Sequence, residues 1–227
     1  PYHHIYKEGE LFSFRNPEGG PQRDPNFKWN WKIFSEEKKK LKIDYPPEHV
    51  IDKQIVLKNL QRHKSDSFVM WLDHASFIIK LGDTTIITDP VFEKNYGPLW
   101  FGPKKFVDSP LTLKELPEIN IFLLTHNHYD HMSIRTIKNF PYKNSKALMP
   151  LKLGKYFTRN GYNKNNVKEM DWFDKIKIND DISITMLPAQ HWSKRWIWGD
   201  GNNNRSLWGS FLIEYKGKKI FFACDTG

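Results

Sequence analysis

The amino-acid sequence predicts an α/β fold, in which strands and helices are mixed along one chain. Apolar runs bounded by turn residues predict strands in residues 67–90, 119–125, 182–188 and 209–225. Segments with helical spacing or helix-end signals lie before and between these runs. A cluster of polar side chains stands directly after one predicted strand, where a loop leads into a helix. Because the chain has 227 residues, we expect one main domain.

The N-terminal segment has a different composition from the rest. Residues 1–32 are rich in Pro, Gly, Asn and aromatic residues, which predicts an extended arm lying on the core. Helices are predicted over residues 33–42 and 48–63, and the basic run "EEKKKLK" in the first is interpreted as a solvated helix face. We therefore predict an arm and helix over residues 1–49 that pack on a main domain over residues 50–227.

The main domain is expected to begin with a β-rich region. Residues 67–90 predict strands that turn at Gly82 and Asp83 and end at Pro90, and residues 119–125 predict a buried strand. Two helices should follow, in "SIRTIKNF" and "LKLGKYFTRNG", with a serine N-cap in the first and a terminating glycine in the second. The remaining strands are predicted in "ISITMLP", "GSFLIEY" and "KKIFFACD".

Two hairpin-like segments resemble each other. Residues 76–89 and 210–225 are strand-turn-strand units that open with Ser-Phe and close with Asp. If the likeness reflects two related halves, each half is a sheet backed by helices, and Asp89 and Asp225 are counterparts. Alternating strands are generic, so chance resemblance stays open as the alternative.

Composition narrows the function classes. No apolar run reaches the ~20 residues that a membrane-spanning helix needs. The single cysteine excludes an internal disulfide framework and a four-cysteine zinc site. A formal charge of +9 favours anionic partners: phosphorylated substrates, nucleic acid or an anionic membrane surface. The chain starts at Pro rather than Met, so we expect an upstream segment, and a cytoplasmic or a membrane-associated location stays open.

The segment "THNHYDHM" (residues 125–132) carries the main chemical signal. Imidazole and carboxylate groups suit Zn, Fe or Mn, and two such ions can together activate water. His126 and His128 lie on the same side of an extended segment and can chelate one ion, whereas Asp130 and His131 can reach a second. The alternative is a solvated loop. We favour the metal site because packing gives no reason for four such groups at a strand end.

Two distant segments are expected to complete the site. His191 and Asp225 each follow a predicted strand, as His126 does. A catalytic zinc usually has three protein ligands and a water, so we expect His191 to join the first ion and Asp225 to bridge both. Cys224 should point the opposite way and behave as a small buried hydrophobic residue.

In order and spacing, these segments resemble the metallo-β-lactamase superfamily, an αββα sandwich with metals at the sheet edges. Within it, the chain is most similar to the N-acyl-phosphatidylethanolamine-hydrolysing phospholipases D and their bacterial relatives. The segments that carry the resemblance are "WLDHASFIIK", "TDPVF", "GPKKF", "SPLTLKELPEI", "THNHYDHM", "LPAQHWSKR", "LWGSF" and "FFACDTG".

The resemblance implies two zinc ions, with Fe or Mn as alternatives, and a water activated by them as the nucleophile. It places His126, His128 and His191 on one ion, Asp130 and His131 on the other, and Asp225 on both. Asp130 and Asp225 are the candidate catalytic carboxylates. Asp89 is implied to orient the ligand loop, and His74 either does the same or is a buried histidine satisfied within the strands.

The chain departs from the family pattern at three places. Cys224 and Asp73 stand where relatives commonly have Gly. Relatives also continue past "DTG" to a further histidine ligand, whereas this chain ends at Gly227. We therefore expect a sandwich without its last strands and helices, and a second metal that lacks one ligand unless a missing C-terminal segment or a second chain supplies it.

Aromatic and basic residues are the candidates for contact with a substrate. Trp100 and Phe101 could line an acyl groove and Lys194 could meet a phosphate, although large aromatics commonly pack the core. An acyl groove or packing in the core are likewise the two interpretations of four further tryptophans: Trp192, Trp196, Trp198 and Trp208. Phosphate binding or ordinary surface charge are the two interpretations of Lys104, Lys105 and Arg195.

The resulting prediction is a metal-dependent hydrolase of a phosphodiester, most similar to a phospholipase D. Its expected partners are a phospholipid or another anionic phosphodiester and, by peripheral contact, a membrane. No nucleic-acid partner is expected, because no large nucleic-acid-binding insertion is visible. The alternatives are a nuclease, soluble phosphodiesterase or lactonase of the same fold, or a non-catalytic module that binds anionic lipid or nucleic acid.

Overall fold

The computed structural model describes residues 2–18, 50–97, 102–105, 107–195 and 204–226. The predicted helix over residues 33–42 and four predicted groove residues lie outside these ranges: Trp100, Phe101, Trp196 and Trp198. The described residues confirm the α/β class, with two large sheets and a short N-terminal hairpin.

The larger sheet has six strands in the order β3-β4-β5-β6-β7-β8. The first three strands are antiparallel and the last three continue parallel to β5. Gly82, with φ +57°, allows the tight turn between β4 and β5. The strands are β3 (Phe68–Asp73), β4 (Ser76–Leu81), β5 (Thr84–Thr88), β6 (Ile121–Leu123), β7 (Lys146–Pro150) and β8 (Val167–Met170).

The smaller sheet has four antiparallel strands in the order β12-β11-β10-β9. They are β9 (Lys175–Lys177), β10 (Ile182–Leu187), β11 (Ser210–Tyr215) and β12 (Lys218–Phe222). The two segments that echo each other in sequence therefore form antiparallel hairpins, β4-β5 in one sheet and β11-β12 in the other. The short strands β7, β8 and β9 were not predicted.

Three helices are described, with short 3-10 turns at Leu113–Glu115 and Lys164–Asn166. Helix α1 (Lys53–Arg62) starts later than predicted because the Asp52 side chain caps it by accepting from the Gln54 amide. The predicted Ser133 cap of α2 (Ile134–Asn139) is present, and α3 (Gly154–Thr158) is the shortest helix. None of these helices has the length or hydropathy required to span a bilayer.

Two cores lie on opposite faces of the six-stranded sheet. Ile78 and Ile87 face the helices, whereas their neighbours Ile79 and Ile86 face the smaller sheet. This alternation follows from the period of two along each strand. The described part of the chain thus forms a helix-sheet-sheet sandwich, which accounts for three layers of the predicted αββα architecture.

The described part of the N-terminal segment, residues 2–18, packs on the second core. It forms a hairpin of β1 (His4–Lys7) and β2 (Glu10–Phe14), and the Phe14 side chain is buried among residues of both sheets. The boundary proposed at residues 49 and 50 remains a prediction.

Candidate metal centre

The predicted metal-binding residues meet at one edge of the sandwich. The segment 125–132 follows β6, His191 follows β10, and Asp225 follows β12. Because these strands end at the same edge, side chains up to about 100 positions apart in sequence come within a few ångströms. His126, His128, His191 and Asp225 form one donor cluster, and His74, Asp130 and His131 form another.

Three imidazole nitrogens converge in the first cluster. His126 Nε2 lies 2.8 Å from His128 Nδ1, and His191 Nε2 lies 3.2 and 3.1 Å from these two atoms. Two nitrogens bound to one tetrahedral zinc at ~2.0–2.1 Å would be ~3.3 Å apart, so the spacing fits a shared ion.

The protonation of the first cluster also suits a metal. Burial lowers the pKa of His126 well below its ordinary value, and burial with the nearby His191 lowers that of His128 to about 3. Neutral imidazole is the form that binds a metal. His128 Nε2, the ring nitrogen that does not face His126 and His191, is also buried and has no hydrogen-bond partner among the described residues.

The second cluster includes His74. Its Nε2 atom lies 3.2 Å from Asp130 Oδ2 and 3.3 Å from His131 Nε2. The sequence suggested only an orienting or buried histidine at this position. The structure instead places the ring among the candidate donors, with 37% of its side chain exposed. Burial opposes ionisation of Asp130, but the hydrogen bond with His74 and the nearby His131 hold its pKa below the usual range.

Asp225 lies between the two clusters. Its Oδ2 atom is 3.4 Å from His131 Nε2 and 3.8 Å from His191 Nε2. A carboxylate in this position is close to donors of both clusters, and the bridging role expected for Asp225 stays a prediction.

Asp89 supports the site from behind. Its carboxylate accepts hydrogen bonds from the amide and hydroxyl of Thr125, at 2.8 and 2.5 Å, and contacts His131 Nδ1 at 2.9 Å. Burial disfavours a charged imidazole, yet hydrogen bonds to Asp225 and Asp89 raise the pKa of His131 well above its ordinary value. With Nδ1 held by Asp89, Nε2 of His131 is the atom that faces the site.

The prediction that Cys224 points away from the site is wrong. Its Sγ atom lies 2.7 Å from Thr125 Oγ1, 3.6 Å from Asp89 Oδ2 and 3.7 Å from His131 Nδ1. Strand alternation does not apply here, because β12 ends at Phe222 and Cys224 has φ +58°. Burial raises the pKa of the thiol to about 11, so the group is a protonated thiol at neutral pH.

Two basic side chains that the sequence offered for phosphate binding are engaged inside the protein. Arg195 is buried and donates to the carbonyl oxygens of Asn127 and Met132, at 3.0 and 2.7 Å, which holds the candidate ligand loop in place. Lys105 donates to Asp73 Oδ2 at 2.7 Å and to the Val91 carbonyl. Neither cation is available to a substrate. The sequence did not indicate this, because composition does not reveal which charges are buried.

Other candidate contact residues divide between surface and core. The Lys194 side chain is exposed, and its backbone amide donates to Asn127 Oδ1. The Trp192 ring packs against His128, with 4.2 Å between ring centroids. Trp208 is buried in the second core, as the alternative reading held. Asn16, which sequence reasoning missed, accepts from the His191 amide and links the arm to the site.

Comparison with known proteins gives a consistent family. Residues 84–227 match the model of a beta-lactamase superfamily domain. The chain is similar to N-acyl-phosphatidylethanolamine-hydrolyzing phospholipase D 1 of Caenorhabditis elegans, at 29% identity over 78% of this chain and 53% of that protein. It is also similar to the mitochondrial N-acyl-phosphatidylethanolamine-hydrolyzing phospholipase D of Saccharomyces cerevisiae, at 33% identity over 69% of this chain and 34% of that protein.

A solved structure gives the same fold. The isothiocyanate hydrolase from Delia radicum gut bacteria aligns with a TM-score of 0.54 and 17% identity, covering 70% of this chain and 63% of that one. This likeness concerns the fold alone. The present chain spans about half or less of the length of the two phospholipases.

Proposed function

Because this chain belongs to the metallo-β-lactamase superfamily, we propose that it is a metal-dependent hydrolase and that it cleaves a phosphodiester bond of a phospholipid, as a phospholipase D does. The observation that carries the proposal is a pair of donor clusters, with Asp225 in the first and within 3.4 Å of His131 in the second, and an apolar groove whose Trp71 contacts the His74 backbone. The names of the two similar phospholipases support the same substrate class.

We assign the ligands from the two clusters. His126, His128 and His191 would hold one ion, His131, Asp130 and His74 the other, and Asp225 both. When bound, two such ions, zinc or alternatively iron or manganese, would activate water and offset charge on the phosphoryl oxygens.

The polypeptide itself supplies orientation and hydrogen-bond acceptors. Asp89 is fully buried and holds His131, so it acts as a positioning residue. Asp130 and Asp225 differ from it because about a third or more of each side chain is exposed, at 35% and 40%. These two carboxylates can reach a substrate, and their lowered pKa values keep them ionised at neutral pH and able to accept hydrogen bonds.

The groove favours a lipid over a soluble ester. It has a volume of about 400 Å³ and lies between helix α1 and edge strand β3. Ile51 and Val69 both line its wall and are each 58% exposed. Aliphatic side chains grouped on one surface are seldom this exposed. Trp71 lines the groove and donates from its indole to the His74 carbonyl at 2.9 Å, which connects the groove to the second cluster.

An acyl chain would gain from this surface. Each methylene removed from water contributes ~0.8 kcal/mol, so a few carbons would dominate the binding energy. Peripheral contact with a membrane would use the same exposed apolar residues.

The experiment compares phospholipids with one head group and different acyl lengths, each below its aggregation concentration. The metal-loaded protein should release phosphatidic acid, with kcat/KM rising with chain length. Val69→Ser should flatten that dependence, whereas Val167→Ser, on the far edge of the sheet, should not. A flat dependence in the unaltered protein favours a soluble phosphodiesterase, nuclease or lactonase, and absence of turnover on any ester favours a non-catalytic binding module.

A further inference from the structure

Outside the candidate metal centre, two histidines and an aspartate lie together where the N-terminal hairpin meets the turn after β8. His3 Nε2 is 2.6 Å from Asp171 Oδ1, and His4 Nε2 is 2.9 Å from Asp171 Oδ2. One donor atom from each residue lies within 4.8 Å of the others. The group shares no residue with the candidate metal centre, so it requires an explanation of its own.

His3 is buried and His4 is largely buried, and each has a ring nitrogen without a hydrogen-bond partner among the described residues. Only 4% of the His3 side chain and 9% of the His4 side chain are exposed. His3 Nδ1 and His4 Nε2 make no hydrogen bond among the described residues, although His4 Nε2 approaches the Asp171 carboxylate. Leaving a buried polar atom unpaired costs ~1–3 kcal/mol. A cation bound by the imidazoles and the Asp171 carboxylate would remove this cost.

The surrounding residues hold the donors in place. Asp171 Oδ1 accepts from the Trp172 amide at 2.8 Å, which fixes the carboxylate. The His3 ring stacks on the Trp172 indole, with 4.1 Å between centroids and 28° between planes. Burial lowers the pKa of His4 and so favours the neutral imidazole that can act as a ligand.

We propose that His3, His4 and Asp171 form a separate site for a divalent transition-metal ion such as Zn²⁺. Two imidazoles and one carboxylate are the ligand types that zinc accepts. The ion would join the N-terminal hairpin to the turn after β8 and stabilise a contact between segments 168 residues apart. The site is structural and does not depend on the proposed function.

The test measures Zn²⁺ binding by the whole chain in a His126→Ala/His128→Ala background, which disables the first cluster of the metal centre. Adding His4→Phe should remove one equivalent of bound Zn²⁺ by calorimetry and abolish the corresponding rise in Tm. His63→Phe is the matched control, because His63 is an exposed histidine that also contacts an aspartate. It should leave the stoichiometry unchanged.

Asp171→Asn provides a second variant that keeps the size of the side chain. It should weaken Zn²⁺ binding at this site by more than about tenfold. Equal stoichiometry and affinity in the background protein, His4→Phe and Asp171→Asn would overturn the proposal. The contact would then be an ion pair that holds the hairpin without a metal. Should His4→Phe not fold, the affinity measured with Asp171→Asn decides the matter.

Discussion

Asp89 Oδ2 lies 2.9 Å from Nδ1 of His131, and both side chains are fully buried. This contact fixes which imidazole nitrogen faces the candidate metal centre. The carboxylate also accepts two hydrogen bonds from Thr125, so it couples the end of β6 to the ligand loop.

Replacing Asp89 by Asn tests this positioning role. The amide keeps the shape of the side chain but is uncharged, so His131 should lose part of its orientation and basicity. We expect affinity for the second ion to fall by ~10–100-fold while the first ion stays bound. Calorimetric titration with Zn²⁺ measures both steps, and Asp66→Asn at an exposed position is the control. Equal loss at both steps would contradict the assignment.

The first cluster should bind its ion more tightly than the second. It offers three neutral imidazoles and shares Asp225, whereas the second includes the partly exposed His74 and Asp130. Stepwise removal with a chelator should therefore leave one ion, and His126→Ala should abolish both that tight binding and hydrolysis while the circular dichroism spectrum is retained. Wild-type turnover in His126→Ala, or protein purified without chelators that contains no transition metal, would refute this.

Stability of the metal-free chain should depend on pH through the same histidines. The pKa of His128 falls from its ordinary 6.5 to about 3 on folding, mainly through burial, so the unfolded chain binds more protons between these values. The contribution of His128 to the free energy of unfolding is therefore fully present above pH 6.5 and is lost as the pH falls towards 3. Urea unfolding in chelator across this window should show the slope, and His128→Asn should reduce it.

His131 acts in the opposite direction. Its pKa is raised by the carboxylates around it, so its contribution is present below pH 6.5 and declines as pH rises through its folded pKa. The metal-free protein should accordingly be most stable near pH 6.5 with respect to these groups. A monotonic rise in unfolding free energy up to pH 9 would show that His131 does not carry its proton in the folded chain.

Cys224 occupies a left-handed backbone conformation, with φ +58°. Gly adopts this conformation freely, whereas a residue with a Cβ carries a free-energy penalty of ~1–2 kcal/mol. The larger conformational entropy of Gly in the unfolded chain offsets ~0.5–1 kcal/mol of that advantage. Since both substitutions remove the sulfur, Cys224→Gly should be more stable than Cys224→Ala by about 0.5–1 kcal/mol. Denaturant unfolding of the two variants measures the difference, and equal stability would indicate that the strain is absorbed elsewhere.

Sequence reasoning located the fold class and the ligand loop because both depend on local patterns. Strand alternation and the spacing of His126, His128 and Asp130 are visible in a short window. The position of His74 depends on how β3 and β4 lie against the loop 57 residues later, which no local pattern encodes. The same holds for the buried Arg195, whose partners are backbone carbonyls from residues 63 and 68 positions away.

The groove escaped prediction for a related reason. Val69 and Trp71 look like ordinary strand residues, and their exposure follows from the place of β3 at the edge of the sheet. The Trp100 and Phe101 groove remains a prediction, since those residues lie outside the described ranges.

The ion pair between Lys105 and Asp73 constrains which sequences can replace this one. Both side chains are only 2% exposed, so changing either one alone leaves a single buried charge, at a cost of ~3–5 kcal/mol. Asp73→Gly alone should therefore destabilise this fold unless Lys105 is replaced by an uncharged residue as well. Substitutions at these two positions should be tolerated in pairs and rejected singly.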